Sequence, residues 1–179
     1  MPPRVPRPVL VVMGVSGSGK STLASLLAQR LRWPLQEGDV LHPQANVDKM
    51  AAGHPLDDND RWPWLRLVAA WIDERAAAGE PGIVTCSALK RAYRDVLRRA
   101  FVRFVHLTGD RQVLAQRLQH RDDHFMPPSL LDSQLATLEA PGADENAIAI
   151  DIALAPEAKA DVVFSWLGID GGDDAIPAS

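Results

Sequence analysis

Cysteine is almost absent from this chain: Cys86 is the only one in 179 residues. That excludes an internal disulfide and any zinc site built on cysteines, and it suits a reducing compartment such as the cytoplasm. Basic residues are outnumbered as well, 19 Lys and Arg against 23 Asp and Glu, for a net charge of −4. Such a balance gives no general attraction to nucleic acid or to an anionic membrane, so any phosphate-binding charge has to be local. No apolar run approaches the ~18 residues that a membrane span needs. Residues 1–8 hold four prolines and no apolar segment. They read as a disordered, extended tail and not as a secretory signal. Internal repeats, low-complexity tracts and a second domain are missing. So is any N-K-x-D tetrapeptide, the guanine-reading motif that a GTP-binding switch would carry.

What the chain does have is a stretch on which the rest is organised. Val9-Leu10-Val11-Val12-Met13 is strand-like, and Gly14-Val15-Ser16-Gly17-Ser18-Gly19-Lys20-Ser21-Thr22 follows it. Gly14 to Ser21 fits G-x-x-x-x-G-K-[ST], the phosphate-binding P-loop. The glycines let the backbone turn tightly and approach phosphate oxygens. Consecutive N–H groups and a helix N-terminus then favour the anion. In that geometry Lys20 reaches the β- and γ-phosphates of ATP, and the Ser21 hydroxyl ligates Mg²⁺. A chance Gly/Ser loop lacks the confirming context found here, a strand before and an amphipathic helix after, with Leu23, Leu26, Leu27 and Leu31 on one face.

Downstream, residues 34–37 read as a short second strand that delivers Asp39 to the ligand-binding edge of the sheet. Asp39 is either a catalytic carboxylate or the cap of the helix over residues 44–52; the two roles are compatible. The acidic turn Asp57-Asp58-Asn59-Asp60 precedes a helix running to about Gly79. Trp64, Leu67 and Trp71 on it fit a core better than a pocket. Arg61, near that helix start, opposes the helix dipole and so points to an anionic partner. Residues 82–86 form a third strand ending at Lys90, a site candidate. Arg94 and Arg98 recur at helical spacing and read as a solvated face. A fourth strand (101–107), a helix to about His120, a basic break and a second helix from Pro128 compose a lid over residues 111–138. Arg117 and Arg121 share a face there, with His124 near it; a plain surface hairpin is the competing reading. A fifth strand (147–152) and a closing helix complete residues 9–167, and residues 168–179 read as a flexible tail. Five strands alternating with helices predict an α/β fold with a doubly wound parallel sheet.

These residues resemble the gluconate kinases, P-loop enzymes related to shikimate and nucleoside monophosphate kinases. Beyond the P-loop, the specific stretches are Gly38-Asp39-Val40-Leu41-His42-Pro43, Asn46, Lys49-Met50, Asp58-x-Asp60-Arg61-x-Pro63-Trp64-Leu65, Cys86-Ser87-Ala88-Leu89-Lys90, Tyr93-Arg94-Asp95, His124-Phe125 and Leu138-Glu139-x-Pro141. The resemblance covers residues 9–167. It implies a P-loop NTPase fold with strand order 2-3-1-4-5, helices on both faces and a helical lid. It also implies ATP-dependent phosphorylation of D-gluconate at the 6-hydroxyl with Mg²⁺, and a homodimer. Asp39 is then the substrate and Mg²⁺ carboxylate. Arg61, Lys90, His42, Lys49 and His124 are substrate contacts, Arg117 and Arg121 belong to the lid, and Pro156 lies near adenine. Family members carry glycine just before the lid histidine, where this chain has Asp123. The alternative on the same fold is a kinase of another small hydroxy acid, such as shikimate. A shikimate-type chain would have a glycine-rich turn after the third strand, where Cys86-Ser87-Ala88-Leu89 stands.

Overall fold

Five apolar residues in a row predict a strand covered on both sides, and β1 (Val9–Met13) is that strand, each residue 0% exposed. The computed structural model describes residues 7–119 and 128–169. β1 pairs in parallel with β3 (Gly82–Thr85) on one side and β4 (Val102–Thr108) on the other, Val11 facing Val84 and Phe104. β2 (Leu35–Glu37) extends the sheet beyond β3, and β5 (Ala147–Asp151) extends it beyond β4. The order is 2-3-1-4-5 and every pairing is parallel, the order that the family resemblance implies.

The helices in chain order are α1 (Lys20–Leu31), α2 (Gln44–Ala51), α3 (Asp58–Ala78), α4 (Arg91–Leu97), α5 (Arg111–Gln119), α6 (Pro128–Thr137) and α7 (Pro156–Leu167). The first crossover steps from β1 toward β2, and later ones step the opposite way. Right-handed connections therefore put α1 on one face and α3 and α4 on the other. α7 returns to pack beside α1, and α3 packs beside α4. The core lies between these layers and the sheet. Leu10, Leu23, Leu27 and Ile72 are all at 0–1% exposure, and such burial contributes roughly 1.5–3 kcal/mol per side chain. Among the described residues no helix is long and apolar enough to cross a membrane.

Three readings of the sequence need correction. α3 starts at Asp58, ahead of Pro63, which sits inside the helix. A reciprocal capping box explains this: Asp60 N–H donates to the Asp57 carboxylate at 2.8 Å, and Asp57 N–H to the Asp60 carboxylate at 2.9 Å. Arg94 is not on a solvated face. It is fully buried, its Nε 2.7 Å from Glu145 Oε1 and its Nη1 donating to Ala88 O at 2.8 Å. Although burial pushes the Glu145 carboxyl up, the Arg94 hydrogen bond and the Gly142 N–H hold it below the usual carboxylate range. The pair fastens the loop after β3 to the segment before β5. Leu67, expected in the core, is 47% exposed, because the buried stripe of α3 runs through Trp64, Leu65, Val68, Ala69 and Ile72.

Candidate active site

The sheet changes direction of winding at β1, and the crevice there opens at the carboxyl ends of β1 and β3. The P-loop fills the β1 side. Gly14, Gly17 and Gly19 have φ of 148, 81 and 91°, conformations that only glycine adopts without strain. A Cβ on Gly14 would lie 2.8 Å from both Leu107 O and Ser18 Oγ. Lys20 folds over its own loop, its Nζ donating to Gly14 O at 2.9 Å and Val15 O at 3.1 Å. Gln134 of α6 docks on the same loop, its Oε1 accepting from Ser16 N–H at 2.7 Å and its Nε2 donating to Ser16 Oγ at 3.1 Å. Ser21 Oγ donates to Glu37 Oε2 at 3.1 Å, which also accepts from Thr85 Oγ1 at 2.6 Å.

Asp39 stands opposite, on a 3-10 turn (Gly38–Leu41) directly after β2. Two contacts fix that turn. Trp64 Nε1 donates to Gly38 O at 2.8 Å, and Gly38 N–H to Thr85 Oγ1 at 3.1 Å. Gly38 is forced by close approach, since a Cβ there would meet Thr85 O at 1.9 Å. The Asp39 side chain is 81% exposed. It caps nothing: the N-cap of α2 is Pro43, without a side-chain cap. His42 Nε2 lies 4.0 Å from Asp39 Oδ1, and the imidazole stacks on Trp64 with centroids 4.1 Å apart. Asn46 Nδ2 donates to Asp60 O at 2.8 Å and faces His42 Nδ1 at 3.2 Å. An amide nitrogen only donates, so Nδ1 accepts and Nε2 carries the proton toward the cleft. Burial lowers the His42 pKa against the opposing charge of Asp39, and Arg61 lowers it further.

The lone tyrosine organises the cations. Tyr93 OH donates to Asp58 and accepts from Arg61 Nη1 at 2.8 Å. Lys90 Nζ donates to Asp58 Oδ1 at 3.1 Å. Lys49 sits 2.6 Å from Asp60 Oδ2 and 3.7 Å from Asp57 Oδ2. A cleft of about 380 Å³ brings Ser16, Gly17, Gly19, Lys20 and Ser21 together with Asp39, His42 and Arg61. Lys49, Lys90, Arg117 and Pro156 do not line it. Thr22 lies in the first turn of α1, and Pro156 opens α7. Arg117 is on α5, and its Nη2 donates to Ile152 O at 2.7 Å, next to the 153–156 loop. Arg121, Asp123 and His124, with the break of the lid, lie outside the described residues. So do residues 1–6 and 170–179, which hold most of both expected tails.

The AAA domain family matches residues 9–141. Gluconokinase of Gluconobacter oxydans (strain 621H) is 57% identical over 143 residues, spanning 79% of this chain and 80% of that protein. The chain belongs to the gluconokinase family. Two solved structures agree with this assignment. A gluconokinase from Sinorhizobium meliloti 1021 is 46% identical with a TM-score of 0.81, covering 92% of this chain and 93% of that one. An unliganded sugar kinase from Janibacter sp. HTCC2649 is 49% identical with a TM-score of 0.87, covering 93% and 97%.

In this gluconokinase-family chain the sequence reading passed over four residues that the fold brings to the site. Glu37 had a signal, its place two residues before Asp39 at a strand end. Asp58 and Tyr93 were visible as motif positions without a role, because their hydrogen bonds to Arg61 and Lys90 span some 30 positions of the chain. Lys159 had no signal, since a lysine in a closing helix reads as surface. It is 5% exposed, and burial lowers its pKa, Arg117 adding to the effect and Asp151 opposing it.

Proposed function

We propose that this protein transfers a phosphoryl group from ATP to the 6-hydroxyl of D-gluconate, giving 6-phospho-D-gluconate and ADP. The observation that carries the reading is the single cleft that joins the P-loop to Asp39 and Arg61. Phosphoryl transfer asks a protein mainly for positioning and for charge stabilisation. Lys20 and the N-terminus of α1 supply positive potential to the phosphates. Asp39 takes the hydroxyl proton as the substrate oxygen bonds to phosphorus and the bond to ADP breaks. Arg61, with one N–H held by Tyr93, offers its remaining donors to the sugar-acid carboxylate. Identities of 57% and 46% to gluconokinases favour gluconate over a shikimate-like acid.

Mg²⁺ accompanying the nucleotide would supply positive charge that offsets the charge of the phosphates. Ser21, Glu37 and Asp39 suit it, being oxygen donors for a hard cation. Among the described residues no group of three His, Cys, Asp or Glu side chains forms a metal cage. The family resemblance further supports a homodimer working in the cytoplasm, with residues 9–167 as one kinase domain and a lid over 111–138.

The deciding experiment measures ADP release by purified protein with gluconate, other aldonic acids, shikimate and nucleoside monophosphates. Gluconate gives the highest kcat/KM; a preference for shikimate or a nucleotide overturns the assignment. Arg61→Lys tests the carboxylate site. The variant keeps the charge but loses the fork geometry, so KM for gluconate rises about ten-fold or more. Steady-state kinetics at saturating ATP check this, and unchanged constants remove Arg61 from substrate binding.

A further inference from the structure

Two cations converge on the flank of Gly19, outside the cleft that holds Asp39 and Arg61. A Cβ placed on Gly19 would lie 3.8 Å from Arg117 Nη1 and 3.9 Å from Lys159 Nζ. Gly19 caps the N-terminus of α1, itself a centre of positive potential. Lys159 sits in the first turn of α7, whose dipole also disfavours a cation there. At 5% exposure it belongs to the buried residues. Among the described residues its ammonium makes no hydrogen bond and no ion pair, although Arg117 at least donates to Ile152 O. Buried lysines are rare unless paired, and this one faces a guanidinium and two helix N-termini, with the Asp151 carboxylate as an opposing charge that makes no ion pair with it. An anion entering this space removes the conflict.

We propose that Lys159 is a nucleotide ligand, which with Arg117 grips the phosphates nearest the nucleoside. The assignment rests on the nucleotide reading of the P-loop and adds a contact outside it. The γ-phosphate end faces the cleft that Lys20 and Asp39 both line. The opposite end of a bound nucleoside polyphosphate therefore runs past Gly19 toward the 153–156 loop, between Arg117 on α5 and Lys159 on α7. A compact ammonium there reaches phosphate oxygens as a point charge.

Calorimetric titration with ADP tests this on the full chain, comparing wild type with Lys159→Met and Lys159→Arg. Charge-assisted hydrogen bonds to phosphate set the scale, so the methionine variant binds ADP about ten-fold more weakly or worse, and the arginine variant recovers most of the affinity. Thermal unfolding without nucleotide separates ligand from structural roles. Removing an unpaired charge from a largely buried side chain leaves the Tm of Lys159→Met at or above that of wild type. ADP affinity within about two-fold of wild type overturns the proposal, as does a lower Tm with no rescue by arginine. If Lys159→Met does not fold, Lys159→Gln serves the same comparison. Failure of the wild type itself to bind ADP overturns the nucleotide reading and the role of Lys159 with it, a result distinct from loss in the variant alone.

Discussion

Replacing Lys20 by alanine lowers kcat for gluconate phosphorylation by on the order of 10²–10³-fold, while the protein stays folded. The lysine rests on the carbonyls of Gly14 and Val15 at 2.9 and 3.1 Å, so it is already poised over the loop interior that receives phosphate. Its interaction strengthens as charge shifts toward the bond that breaks. A group that acts more strongly in the transition state than in the ground state shows its loss in kcat. Removal of one preorganised donor from such a site has a cost of this size. The fold survives because Lys20 is the first residue of α1, where alanine is the best helix former. Steady-state kinetics with ATP and gluconate, beside a thermal melt, check both halves. A kcat near that of wild type removes the P-loop from the chemistry and with it the assigned reaction.

How much of this was legible in the sequence follows from the range of the forces involved. The P-loop, β1 and the parallel α/β class were readable because they rest on local pattern: an unbroken apolar run, glycines at fixed offsets, and alternation of strand with helix; the strand order came from the family resemblance. The start of α3 was less so. Asp57 to Asp60 read as a turn ahead of the helix, whereas Asp57 and Asp60 form the capping box that opens it at Asp58. Arg94 failed for another reason. Its partner Glu145 is 51 positions away, and nothing local distinguishes an arginine that meets a buried carboxylate from one that meets water. Lys159 fails in the same way, since Gly19 and Arg117, which it faces, lie far from it in the chain.

The site divides along the same line. Lys20, Ser21, Asp39, His42 and Arg61 come from motifs at the ends of adjacent elements, and one cleft gathers them. Lys90 and Lys49 have the same sequence credentials, yet Asp58, Asp60 and Asp57 hold their ammonium groups. Motif membership places a side chain near the site; the carboxylates around it decide what its charge is paired with in the structure. The same applies to Cys86, which sits at the end of β3 beside the cleft but is buried, its thiol pushed up to about 12 by desolvation. Its side chain is part of the buried core.

Asp39→Asn separates catalysis from architecture more cleanly than any other single change. The 3-10 turn that carries Asp39 is held by backbone atoms, through Trp64 Nε1 on Gly38 O and Gly38 N–H on Thr85 Oγ1. The carboxylate itself supports none of this and is 81% exposed. Asn also caps helices as well as Asp does, so even a capping role would survive the exchange. Stability therefore stays within about 0.5 kcal/mol of wild type, the usual range for a surface substitution. What asparagine lacks is negative charge and a place for the hydroxyl proton. A general base contributes typically ~10²–10⁴-fold, and kcat falls within that range. His42 does not replace it: its Nε2 faces the cleft as a donor, and burial disfavours the protonated imidazolium. Measuring kcat and the thermal midpoint on the same preparation decides the matter. A loss of turnover with an unchanged melt places the carboxylate at the reacting hydroxyl. Turnover within a few-fold of wild type leaves Asp39 without a catalytic role and shifts the search for the proton acceptor to Glu37, the carboxylate that Ser21 Oγ donates to.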